Sequence, residues 1–119
     1  MTRAELVRLA VLLNISDDYE EPVHVYEVVA YELGLCGLSL VPEETQKALI
    51  ELTESGLAKA YYLGPGPGEE LQGIPPFDGS HSYYFLITDD GFQTLAAWRK
   101  DWPFDDEGEL IPGWSGLSD

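Results

Sequence analysis

The stretch Gly64-Pro-Gly-Pro-Gly68 can continue neither a helix nor a strand. It is flanked by the two segments of the chain that read as strands. Ala58 to Leu63 precedes it, and His81 to Ile87, rich in aromatic and β-branched residues, follows. The connecting loop is expected to run to about Ser80 through Pro75 and Pro76. Elsewhere the apolar residues recur at helical spacing. The expectation is an α+β chain with a single two-stranded hairpin set among helices.

The helices carry their own punctuation. Residues 3–13 place Leu6, Leu9, Ala10 and Leu13 on one face, and Val7, Val11 and Leu12 widen it. That width predicts a central core helix, with Leu6, Val7 and Val11 also available as an oligomer contact. Pro22 suits the first turn of a second helix, in which Val25, Val28, Val29 and Leu33 repeat; Gly34 or Gly37 should stop it. Pro42 opens a third helix with Glu43 and Glu44 in its first turn, where negative charge is favoured. Thr45, Ala48, Leu49 and Leu52 form its inner face, and Ser55-Gly56-Leu57 is a glycine stop. Thr88 should cap a fourth helix whose stripe is Phe92, Leu95, Trp98 and Trp102, ended by Pro103. Residues 1–102 read as one domain. Residues 103–119 form an acidic tail carrying Phe104, Leu110, Ile111 and Trp114, expected to pack back on the domain or across a dimer.

Charge narrows the function classes. The chain has 6 Lys+Arg against 22 Asp+Glu, a net −16. The excess is spread over both halves, so no basic segment offsets the rest. DNA, RNA and anionic membranes are repelled at long range, while basic protein surfaces are attracted. No apolar run approaches the ~20 residues of a membrane span. Glu5 and Arg8 interrupt the apolar start before it could serve as a leader, so a cytoplasmic location is expected. Cys36 is the only cysteine, which excludes an intrachain disulfide.

Three helices followed by a two-stranded hairpin is the order of a winged helix-turn-helix domain. The segment ALIELTESGLAKAYYL (Ala48 to Leu63) resembles the passage from a third helix through a glycine into the wing. The segment YYFLITDDGFQTLAAW (Tyr83 to Trp98) resembles the strand-to-helix passage of PadR-like and MarR-like regulators. The resemblance implies a winged helix with a hairpin wing, a C-terminal helix and an acidic tail. It also implies transcriptional regulation by a dimer, with the third helix in the major groove and the wing beside the backbone.

The residues at those positions point elsewhere. The outward face of the third helix should comprise Glu43, Glu44, Gln46, Lys47, Ile50, Glu51 and Glu54. Only Lys47 is basic, and only Gln46 is a neutral base reader. The wing region from Tyr61 to Ile87 has no Lys or Arg. Sequence-specific DNA binding commonly rests on about 6–10 phosphate contacts. The expected function is therefore a regulatory protein–protein interaction module with a basic partner, in which ordinary DNA binding has been lost. The alternatives are a DNA-binding PadR-like or MarR-like regulator, using Lys47 and Lys59, and a DNA-mimic inhibitor. The wing surface would comprise Tyr61, Tyr62, Ile74, Phe77, Tyr83 and Tyr84. Leu95, Trp98 and Trp102 join Leu6, Val7 and Val11 as the contact of a homodimer.

No catalytic or cofactor-binding pattern is present, so no enzyme activity, metal or cofactor is expected. The Gly-Pro-rich loop lacks the Gly-Lys-Ser/Thr ending of a phosphate loop, and prolines remove the donors it needs. His81 lies between Ser80 and Ser82, but adjacent strand residues point to opposite faces and do not form a dyad. His24 has no evident partner, and Cys36, beside Leu35, reads as a small buried apolar residue.

Overall fold

The computed structural model describes residues 1–62, 69–71, 74, 75, 77 and 83–117. Four helices and an antiparallel sheet follow one another as α1 (Arg3–Asn14), α2 (Pro22–Gly34), α3 (Pro42–Glu54), β1 (Ala58–Tyr62), β2 (Glu69–Glu70), β3 (Tyr83–Ile87) and α4 (Asp89–Trp98). A single 3-10 turn, Arg99–Asp101, extends α4. The Gly64–Gly68 stretch, His81 and its two flanking serines lie outside the described residues.

Helix α1 is the centre of the core. Leu6, Val7, Leu9, Ala10, Val11 and Leu12 are all buried, which accounts for an apolar face too wide for a one-sided surface helix. Thr2 and Glu5 close its first turn as a reciprocal capping box. Helices α2 and α3 pack against it through Val25, Val29 and Leu33 and through Thr45, Ala48, Leu49 and Leu52. Both end in the same way. Gly37 and Gly56 adopt positive φ (84° and 79°), and the next residue's N–H reaches back to the helix: Leu38 to the Leu33 carbonyl and Leu57 to that of Leu52. This satisfies carbonyls that the helix end leaves open.

The sheet has one strand more than the hairpin expected from sequence. Its order is β2-β1-β3, with β1 in the middle. β1 and β3 pair from Ala58↔Ile87 to Tyr62↔Tyr83, while β2 adds Tyr61↔Glu70 and Tyr62↔Glu69 on the other side. The outer edge of β3 is met by the link between α1 and α2. Glu20 and Phe85 exchange both backbone hydrogen bonds, at 3.0 and 2.8 Å. Phe85 is fully buried, so its ring fastens the sheet to the helices.

Helix α4 starts where expected. Thr88 accepts from the Gly91 N–H through its side chain and donates its hydroxyl to the Gly56 carbonyl. The inward stripe differs from the sequence reading. Gly91 and Leu95 are buried and Trp98 packs against the core, whereas Phe92 is half exposed. A glycine holds the inward position, and successive helical residues point about 100° apart, so Phe92, the next residue, faces solvent.

The 103–119 segment folds back on the domain as far as it is described. Trp102 and Phe104 belong to the core with ring centroids 5.4 Å apart, and Trp114 and Leu117 pack against it. Phe104 and Leu110 form a β-bridge across an acidic turn in which the Asp105 carboxylate accepts from the Glu107 and Glu109 N–H groups. Trp114 Nε1 donates to the Asp101 carbonyl, and the Met1 amine donates to that of Gly116. No helix among the described residues is long and apolar enough to cross a membrane.

Candidate functional site

The seven α3 residues read above as an outward face divide into two groups. Glu43, Lys47 and Glu54 are exposed, and Gln46 and Ile50 are half-buried. Glu44 and Glu51, at the borders of the buried stripe, turn towards α1. Glu44 accepts from Arg3 Nε at 2.8 Å and from the Val41 N–H at 3.0 Å, tying the starts of α1 and α3 together. Arg3 also donates to the Ser39 carbonyl. Glu51 accepts from Arg8 at 2.6 Å. Both pairs line a cavity of about 310 Å³ between α1 and α3.

The electrostatics follow from these contacts. The Arg3 hydrogen bond holds the Glu44 carboxyl below its ordinary 4.5, and the Val41 N–H adds to the effect while partial burial opposes it. The same bond raises the Arg3 guanidinium. A depressed folded-state pKa contributes stability above the ordinary value, which is lost as pH falls through the folded value. Glu44→Gln should therefore cost less than about 1 kcal/mol near neutral pH, since both partners face water in part. The difference from the parent should vanish in strong acid, where Glu44 is protonated. Urea midpoints at the two pH values check this; a cost independent of pH would show that the charge is not what matters.

Lys59, the other cation available to a DNA-binding face, is bonded to Glu70 across β1 and β2 at 2.8 Å, which raises its pKa. Lys47 lies 3.9 Å from Glu51 and is mostly exposed. Arg99 and Lys100 lie on the turn after α4 and make no ion pair among the described residues. Three of the four cations on the α1, α3 and β1 elements are thus held at hydrogen-bond distance by glutamates.

Most of the aromatic residues assigned to the wing meet other rings of the chain. Tyr62 and Tyr83 are cross-strand partners with ring centroids 6.5 Å apart, and Tyr61 faces Tyr84 in the register. Tyr61 also meets Tyr19 edge-on at 5.1 Å, and burial raises its phenol pKa. Phe77 stacks on Phe85 at 6.1 Å with the rings parallel. Ile74 is exposed and lines a cavity of about 370 Å³ with Glu54, Lys59 and Glu70.

The residues read as an oligomer contact are largely consumed inside the chain. Leu6, Val7, Val11, Leu95 and Trp102 are buried, and Trp98 packs against the same core while part-exposed. The wide face of α1 is accounted for by α2, α3 and α4 of its own chain. His24 lies 3.4 Å from Glu20. Cys36 is a free, half-buried thiol pushed up by burial and by Glu32. Among the described residues no group of three His, Cys, Asp or Glu converges at metal-binding spacing.

Sequence reasoning missed the roles of Arg3 and Arg8. No local pattern shows them, because each partner lies more than forty positions away. Comparison with known proteins returns no matching family model, no matching curated protein and no matching solved structure.

Proposed function

We propose that the chain is an acidic winged-helix protein acting as a regulatory protein–protein interaction module, with a partner that presents a basic surface. Three helices, glycine stops after α2 and α3, antiparallel β1 and β3, and a capped α4 are compatible with that fold. The observation that carries the functional reading is the fate of the cations. Arg3, Arg8 and Lys59 are bonded to Glu44, Glu51 and Glu70 at 2.8, 2.6 and 2.8 Å. Lys47 is left as the exposed cation of α3, between Glu43 and Glu54, which make no ion pair among the described residues. Binding to duplex DNA would require breaking these pairs and bringing phosphates against glutamates, for few compensating contacts.

Two measurements test the reading. A gel-shift titration with duplex DNA at low salt should show no retarded band. Zero-length carbodiimide cross-linking to cell proteins, which joins carboxylates to lysines, should trap a basic partner at low salt and lose it as salt rises. Retardation of DNA with a steep salt dependence would replace this reading with that of a DNA-binding regulator. Cross-links that ignore salt, or that join only neutral proteins, would leave the acidic surface without a role in recognition.

A further inference from the structure

The carboxylate of Glu32, in the last turn of α2, is half-buried and has no hydrogen-bond or ion-pair partner among the described residues. Burial raises its pKa, with no other cause opposing. Such a group has lost part of its hydration without gaining a partner among the described residues, and a nearby cation would favour its charged form. Glu32 lines a cavity of about 270 Å³ together with Tyr31, Leu35, Trp102, Phe104 and Asp106. The first two are the prominent apolar exposures of this region: Tyr31 is 70% and Leu35 52% exposed. They stand beside the aromatic pair Trp102–Phe104, which is fixed in the core.

Size, charge and ring content select the occupant. The cavity lies just below the ~300–1,000 Å³ range of small-molecule sites, so it suits a single large side chain. Its rim is acidic, and the chain as a whole carries −16, which opposes a second copy of itself as well as nucleic acid. A guanidinium is flat, pairs with carboxylates through two parallel N–H groups and stacks on aromatic faces. A lysine ammonium does the first less well and lacks the planar stack.

We propose that this cavity, between the end of α2 and the Trp102–Asp106 segment, is the docking site for an arginine side chain presented by an apolar-flanked segment of a partner protein. The apolar flanks would lie against Tyr31 and Leu35. This rests on the interaction-module reading but moves the anchor from α3 to the end of α2, where residues 102–108 complete the cavity.

The test is an amide chemical-shift titration of the full chain with the peptide acetyl-Ala-Leu-Arg-Leu-Ala-amide and with versions carrying Lys or Gln in place of Arg. The arginine peptide should give saturable shifts confined to residues 31–36 and 102–108. Glu32→Gln should weaken it about tenfold, the scale of one charge-assisted hydrogen bond. Glu27→Gln, an exposed change on the same helix, should leave affinity unchanged. Glu32→Gln removes an uncompensated charge and should melt no lower than the parent, so lost binding cannot be blamed on lost folding. Saturable shifts centred on Glu43 and Glu54 would overturn this site while keeping a basic partner. Equal binding of the Gln peptide, or no saturable shift with the arginine peptide, would overturn the site and leave the wider reading to its own cross-linking test.

Discussion

Gly91→Ala is expected to destabilise the protein by about 3 kcal/mol, a large cost for one methyl group. A Cβ at this position would run into the Leu57 carbonyl oxygen and stand 2.5 Å from Ile87 Cγ1. The first is backbone and cannot rotate away. Leu57 also accepts from the Thr88 N–H, and Thr88 reaches the Gly56 carbonyl, so pushing α4 outward breaks the joint between the end of α3 and the start of α4. Alanine is the better helix former by about 1 kcal/mol, which offsets only part of the clash. Gly34→Ala is the matching control: a Cβ there meets nothing within 4 Å, and the residue sits in a helix. Its urea midpoint should match or exceed that of the parent. Equal midpoints for Gly91→Ala and the parent would mean that α4 can shift freely, contrary to the packing described.

Phe85→Ala should cost about 4 kcal/mol, the usual range for deleting a buried aromatic ring. The ring is fully buried and stacked on Phe77, while its backbone makes both hydrogen bonds of the Glu20 bridge. The substitution removes the ring and keeps the backbone pairing. Lost near-ultraviolet circular dichroism and a lowered melting temperature are therefore expected while far-ultraviolet helix signal persists at low temperature. Against a typical total of about 5–15 kcal/mol, the variant retains little margin. Phe85→Leu should recover part of the loss, since it refills some of the space. A variant as stable as the parent would show that the sheet is not fastened through this residue.

What the sequence made legible, and what it hid, follows one division. Local chemistry was readable: the prolines opening α2 and α3, the Thr88 cap and the glycine after α3 each act within a few residues. So was the width of the α1 stripe, which α2, α3 and α4 of the same chain cover. Non-local pairings were hidden. Glu44 and Glu51 border the inner stripe of α3 and looked outward by periodicity alone; only the approach of α1 shows Arg3 and Arg8 against them. The strand at Glu69–Glu70 has no strand-forming residue types, and it exists through its pairing with Tyr61 and Tyr62 and the Lys59–Glu70 bond. Helical spacing puts Phe92 on the inward stripe with Leu95 and Trp98, whereas α4 uses the absence of bulk at Gly91 to come close. At the candidate sites, the α3 carboxylates could be named from sequence, but the lack of a hydrogen-bond or ion-pair partner for Glu32 among the described residues could not, since it depends on the tertiary arrangement.

The arrangement of the sheet bears on how such a chain behaves when crowded. β1 is interior, the outer side of β3 is met at Phe85 by Glu20, and β2 is two residues long. Among the described residues, then, little strand backbone is left open for a foreign strand to join. Tyrosine-rich strands would otherwise invite fibril growth, and the combination of short margins with mutual repulsion between copies opposes it. Among the described residues, self-association through strand addition is the route this sheet disfavours.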